Sequence, residues 1–315
     1  MKYYLGIDVG GTFVKGALVA ENGEILNKGK IPTDSKIGGE KIIRDIAAFC
    51  ESLAASYGIR LSDVSGIGMG IPGIVDGATG VIIYVPNLNW RNFPGAKLLS
   101  ELTGLPVKLS NDANAAALGE TKFGAGKKYK STVMLTLGTG VGGGVIIDGK
   151  LFDGNMGAGT ELGHIVIARG GEKCNCGRRG CLEAYASATA LIRDTRRAMQ
   201  KNPKSKLWQI GSLEAVDGKL AFDLYDEDSD ARAIVDNYVE KLGAGIVNFA
   251  NIFRPEAIII GGGVCAQGES LRAPLEKILK EELYAGDVGP AVDLIIAELK
   301  NDAGSLGAAA LVMES

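Results

Sequence analysis

The stretch from Glu161 to Glu183 holds the densest set of ligand-type side chains in the chain. It reads Glu161-Leu-Gly-His164 and then Cys174-Asn-Cys176-Gly-Arg-Arg-Gly-Cys181-Leu-Glu183. Three of the five cysteines fall within eight residues, and His164 is the only histidine. Zinc takes about four N and S ligands in a tetrahedron. A C-x-C segment, a glycine-bracketed turn and a third cysteine gather three thiolates around one point, and His164 supplies a fourth ligand. Four protein ligands close the shell, so such an ion is a structural clip and not a Lewis acid, holding Glu161 and Glu183 at its two edges. A disulfide or unligated buried thiols are the competing readings, and nothing in the sequence points to the oxidising compartment a disulfide needs.

Three glycine turns and one acidic helix start are the other candidates. Asp8-Val-Gly10-Gly11-Thr12-Phe-Val-Lys15 puts an acid, two glycines, a hydroxyl and a lysine around one tight turn. Backbone N–H groups there suit a phosphate, and Asp8 suits a magnesium ion held through water. The segment is not a Walker A loop, and a plain hairpin turn explains it equally well. Gly138-Thr139-Gly140 repeats the plan after Val133–Leu137. Two such turns from two similar domains could grip a polyphosphate from both sides. Gly262 and Gly263, after the apolar run Ala257–Ile260, would let an adenine or ribose lie on the backbone, although a tight strand-to-helix turn accounts for them too.

Ser110-Asn111-Asp112-Ala113-Asn114 opens an alanine-rich helix. Helix capping alone justifies Asn and Asp there. The functional alternative is that Asp112, at the end of a strand where open sheets place ligands, orients a hydroxyl and accepts its proton. Asp is a weak base, but phosphoryl transfer depends mostly on positioning and charge stabilisation.

The elements that must carry these residues are legible in outline. Residues 3–31 read as three antiparallel strands turning at Gly10–Thr12 and Glu21–Gly23, and residues 38–57 as a helix that buries Cys50. Strands follow at 67–71, 81–85 and 107–109. A loop is expected over Pro86–Arg91, and helices near 95–102 and 110–120. Polar residues around 120–130 suggest a domain boundary, after which strands at 133–137 and 145–151 echo the first cycle. Helices are expected at 186–200 and 230–252, the acidic run 226–230 being a helix start. Cys265 falls at a predicted helix start, and the small-residue helix 303–312 is expected to return to the first domain. Strands alternating with helices give an α/β class. The expected division is 1–120 plus 303–315 and 121–302.

A chain of 315 residues with 46% hydrophobic content can bury two cores. The formal net charge of −3 offers no broad attraction to nucleic acid or anionic lipid. No signal peptide or long apolar span is evident, so a cytoplasmic protein without a membrane role is expected. The 46 glycines are roughly double the usual ~7%, so some glycine pairs carry no function.

Taken together, DVGGTFVKG, GIPGIVD, NLNW, NDANAAALGE, LGTGVGGG, ELGH, CNCGRRGCLE and IIIGGGV resemble the ROK family of sugar kinases and repressors, and within it the ATP-dependent glucokinases. The resemblance spans nearly the whole chain. It implies a two-domain actin-like (ribonuclease-H-like) fold with sugar and nucleotide in an interdomain cleft. It implies Asp112 as the base for the sugar 6-hydroxyl, and Asn111, Glu161, His164 and Glu183 as ligands of the other hydroxyls. His164, Cys174, Cys176 and Cys181 would hold structural Zn2+. Gly10, Gly11, Thr12 and Lys15 with Gly138, Thr139 and Gly140 would form the phosphate loops, Asp8 the Mg2+ region, and Gly262 and Gly263 the adenosine site. ATP, a hexose and a homodimer or homotetramer complete the expected partners. Other acceptors (N-acetylmannosamine, N-acetylglucosamine, fructose, allose), a polyphosphate donor or a sugar sensor without activity are the alternatives. A repressor is disfavoured because the first strand, starting at residue 3, leaves no room for a preceding helix-turn-helix.

Overall fold

A computed structural model describes residues 1–33, 38–85 and 88–313. The chain divides into two compact units: 1–130 with 144–160 and 298–315, and 131–143 with 161–297. The division thus falls at 130/131 and not at 120/121, and the chain goes back to the first unit for residues 144–160. Residues 121–130 stay with the first unit because the carboxylate of Glu120, which is 0% exposed, accepts hydrogen bonds from the Ala125 N–H at 3.1 Å, the Glu298 N–H at 3.1 Å and the Leu299 N–H at 2.7 Å. The boundary lies at the C-terminal edge of the polar stretch 120–130, not at its start.

In the first unit, β1 (Tyr3–Val9), β2 (Phe13–Ala20) and β3 (Ile25–Pro32) run antiparallel as the turn residues require, and β4 (Val64–Ile71) and β8 (Val107–Asn111) add parallel to β1, giving the order β3-β2-β1-β4-β8. Alternation along β1 sorts its faces. Leu5 and Ile7 pack with Ile43, Ile46 and Leu53 of α1 (Gly39–Tyr57) and Leu99 of α2 (Gly95–Thr103). Tyr4, with Ala17 and Val19 of β2, packs on Leu306, Ala309 and Val312 of α9 (Ala303–Met313). That helix approaches its neighbours backbone to backbone. A Cβ added at Gly6 would sit 1.8 Å from the Ser305 carbonyl oxygen, and one at Gly68 1.6 Å from that of Ala308. Part of the glycine excess is therefore packing and not ligand binding. Cys50 is buried in the core of α1, as expected.

A separate three-stranded sheet has the order β5 (Ile74–Asp76), β6 (Val81–Val85), β7 (Trp90–Phe93). β7 corrects the expected loop over Pro86–Arg91: Trp90 is buried against Phe93 at 5.3 Å between rings, and that burial draws the segment into the sheet. Pro86 and Asn87 of that loop lie outside the described residues.

The second sheet has the order β11-β10-β9-β12-β13, built from β9 (Thr132–Leu137), β10 (Val141–Ile147), β11 (Lys150–Phe152), β12 (Ala257–Gly261) and β13 (Asp293–Ile296). This is the first sheet's plan repeated, as the echo of strand, glycine turn and strand predicts. The second unit's helices are α4 (Glu183–Ala186), α5 (Ala188–Lys201), α6 (Leu220–Asp223), α7 (Ser229–Phe253) and α8 (Glu269–Glu282). The acidic run does start a helix: Asp228 caps α7 by accepting from the N–H groups of Asp230 and Ala231. Cys265 sits in a 3-10 turn over Gly263–Gln267, and the helix expected there starts only at Glu269. No helix among the described residues is long and apolar enough to cross a membrane.

Candidate functional site

β8 ends at Asn111 and α3 (Asp112–Phe123) begins at the next residue. Capping falls to Asn111. Its amide oxygen accepts from the N–H groups of Ala113 at 2.8 Å and Asn114 at 3.3 Å, and its NH2 donates to the Gly73 carbonyl at 3.0 Å. Asp112 is thereby spared the cap. Its carboxylate shares the Ala113 N–H at 2.9 Å, and burial holds its pKa above the ordinary carboxylate value. Asp8, near the C-terminal end of β1, is raised first by burial. Lys15 at 3.9 Å pulls it down and the charge of Asp112 pushes it up again. Two neighbouring acids at the C-terminal ends of parallel strands, one raised by the charge of the other, are a donor set that would suit a hard divalent cation such as Mg2+ bound through water. Gly304 at the start of α9 leaves Asp8 its room: a Cβ there would stand 2.9 Å from the Asp8 carboxyl carbon.

Of the first glycine turn, the Gly10 N–H closes the hairpin onto the Phe13 carbonyl at 3.0 Å, as the plain-turn reading requires. Gly11 and Thr12 are exposed at its tip, and Gly11 has open space where a side chain would stand. In the second unit the Gly138–Gly140 turn is tied to the start of α5. The Ala188 N–H donates to the Gly138 carbonyl at 2.8 Å, and the Thr189 hydroxyl donates to the Thr139 carbonyl at 2.7 Å. Gly140 is required by Glu183, since a Cβ there would lie 2.4 Å from Glu183 Oε2, the oxygen that accepts the Val141 N–H at 3.1 Å. Gly262, at φ +91°, lies beside the end of β9, where a side chain would meet the Leu137 carbonyl oxygen at 2.4 Å. Gly263 faces open space. The Gly138–Gly140 and Gly262–Gly263 turns are therefore adjacent at one end of the second sheet.

The zinc candidates converge. One ligand atom from each of His164, Cys174, Cys176 and Cys181 lies within 4.8 Å of the others. Sulfurs about 2.3 Å from a zinc at tetrahedral angles stand about 3.8 Å apart, and a sulfur and a nitrogen about 3.5 Å apart. Cys176 Sγ to Cys181 Sγ is 3.7 Å and Cys174 Sγ to His164 Nδ1 is 3.6 Å, so the four residues fit the ion. The sulfur separation is far beyond the ~2.05 Å of a disulfide. Burial pushes the Cys174 thiol up to about 12, so its ionisation needs a cation beside it. Antiparallel bridges Val166↔Cys181 and Lys173↔Arg179 shape the loop, and Gly177 at φ +90° turns it. Glu183 Oε1 lies 3.4 Å from Cys174 Sγ, which puts that carboxylate at the edge of the cluster as expected. Glu161 is exposed, just before the 3-10 turn Leu162–His164, with its carbonyl accepting the His164 N–H at 3.0 Å. Sequence reasoning missed the three backbone bonds to Glu120 and a bond from the Thr160 hydroxyl to the Asn114 amide oxygen at 3.1 Å. A polar residue inside an alanine-rich helix was the available signal for both.

Comparison with known proteins matches residues 4–315 to the ROK family. The glucokinase of Halalkalibacterium halodurans is 41% identical over 319 residues, covering 99% of this chain and 96% of that protein. The glucokinase of Thermotoga maritima is 41% identical over 313 residues, covering 98% and 97%. Among solved structures, the ROK family glucokinase of Streptomyces griseus in complex with glucose and AMPPNP superposes with a TM-score of 0.82 at 35% identity, covering 99% of this chain and 100% of that one.

Proposed function

The chain belongs to the ROK family, and on that premise we propose that it is an ATP-dependent glucose kinase that transfers the terminal phosphoryl group to the sugar 6-hydroxyl. The single observation that carries the chemistry is Asp112, a half-buried carboxylate of raised pKa at a strand end whose capping duty has passed to Asn111. Asp112 accepts the proton of the 6-hydroxyl as that oxygen forms its bond to the γ-phosphorus and the bond to the ADP oxygen breaks. The hydrogen bond to the carboxylate orients the hydroxyl, and partial burial raises the basicity of a weak base. Asn111, beside Asp112, is the expected partner of a neighbouring sugar hydroxyl.

Glu161, His164 and Glu183 are the expected ligands of the other sugar hydroxyls. Carboxylate acceptors give charge-assisted bonds, and a sugar lacking a hydroxyl leaves one of them stranded. The Cys3His cluster would hold zinc, which fixes the loop between Glu161 and Glu183 and takes no part in the chemistry. Backbone N–H groups at Gly11–Thr12 and Gly138–Gly140 receive the phosphates, and Gly262–Gly263 the adenosine. Asp8 would hold magnesium through water, offsetting the charge of the triphosphate.

An ADP-release assay with ATP and a panel of hexoses tests the assignment. Glucose is expected to give the highest kcat/KM, with a 6-phosphate product. ADP release independent of sugar, or a higher kcat/KM for N-acetylmannosamine, N-acetylglucosamine, fructose or allose, would overturn it.

A further inference from the structure

Thr160 is a β-branched residue held at φ +57°. Backbone sterics make that a true outlier for threonine, of the kind that persists only where surrounding contacts over-determine it. Those contacts are present. The loop before it is closed by the Gly159 N–H donating to the Asp153 carbonyl at 2.8 Å. It is pressed onto β5 at Gly157, where a Cβ would stand 1.8 Å from the Val75 carbonyl oxygen. The Thr160 hydroxyl then donates to the amide oxygen of Asn114, which is only 2% exposed and sits two residues after Asp112 on α3. The next residue is Glu161, whose carbonyl is fixed in turn by the His164 N–H.

We propose that the Thr160–Asn114 pair is a positioning device that aims the Glu161 carboxylate at the sugar. The proposal rests on the glucose-kinase reading, since it needs Glu161 to be a sugar ligand. The hydroxyl bond selects the left-handed backbone at Thr160, and that backbone sets the direction in which the chain delivers Glu161. Thr160 touches no reactant; it acts through its neighbour. The left-handed geometry alone suits glycine, so the side chain is present for the bond and not for the turn.

Three substitutions separate these roles. Thr160→Ser keeps the hydroxyl and is expected to leave the glucose KM within about twofold of the unaltered protein. Thr160→Val removes the hydroxyl and keeps the shape. Thr160→Gly removes it while relieving the backbone, so folding is not at risk. Both are expected to raise the glucose KM on the order of tenfold with the ATP KM within about twofold, because only sugar contacts are disturbed. Asn114→Ala combined with Thr160→Gly should cost no more than the larger single change, as coupled partners do. A merely structural role would lower the melting temperature and the active fraction without splitting the two KM values. Glu161→Gln is measured alongside. If it raises the glucose KM and Thr160→Gly does not, the positioning device is refuted while the sugar site stands. If Glu161→Gln leaves the glucose KM unchanged, the sugar-site reading fails and takes the inference with it.

Discussion

The two ends of α3 each carry a carboxylate shielded from water, Glu120 fully and Asp112 partly, and they have been put to opposite uses. Glu120, near the C-terminal end, is 0% exposed and accepts three backbone N–H bonds, from Ala125, Glu298 and Leu299. Asp112, the first residue, shares one N–H with the cap formed by Asn111 and is left with a raised pKa. A saturated carboxylate is a fastener, since its acceptor capacity is filled by groups that would otherwise be stranded. A carboxylate with fewer fixed backbone donors keeps lone pairs open to a substrate hydroxyl, and where burial outweighs its hydrogen bonds its pKa is pushed up. Glu120 is both more deeply buried and held by more fixed backbone donors than Asp112.

Removing each carboxylate should therefore damage different properties. Asp112→Asn is expected to lower kcat on the order of a thousandfold, about 4 kcal/mol in the barrier, with glucose affinity within about threefold by calorimetry. It should also melt no lower than the unaltered protein, because a poorly solvated charge has gone. Turnover within tenfold would end the distinction. Glu120→Ala should do the reverse, stranding three N–H groups at a cost of about 3 kcal/mol in urea denaturation while the folded fraction keeps its kcat within about twofold. Asn111→Ala removes the cap that spares Asp112 and should cost about 1 kcal/mol of stability.

The subtlest separation is in pH dependence. With its folded pKa raised, Asp112 binds its proton more tightly in the folded than in the unfolded chain. Its contribution to stability is fully present below the unfolded value near 4 and is lost as pH rises through the folded value. The acid limb of kcat/KM should accordingly lie above the ordinary aspartate range, and Asp112→Asn should flatten the stability profile across that window. A limb at the ordinary value would place the base elsewhere.

The repeated sheet plan was readable because hairpin turns and parallel apolar strands are local signals: Asn22-Gly23 between β2 and β3, and Ala257–Ile260 as a buried run. The metal ligands were readable because cysteine spacing is itself geometry. What stayed hidden depends on the partner supplied by folding. Glu120 and Asp112 look alike in sequence as acids on one helix, and only the return of residues 298–299 decides which is saturated. Trp90 was read as loop because its burial needs Phe93 and β6 around it, and Thr160 carries no sequence mark of a positive φ. Gly6 and Gly68 show their packing role only where α9 lies across them.

That last helix has a bearing on how the protein is made. Its seat is formed by strands and by α3, drawn from residues 3–123, yet residues 161–297 must leave the ribosome before residues 303–313 can occupy it. During synthesis the nascent first unit waits with an apolar trough over Tyr4, Ala17 and Val19 uncovered, while the intervening unit is free to finish. The order of completion runs against the order of the sequence, and the first unit's trough is the surface a chaperone would meet in the meantime.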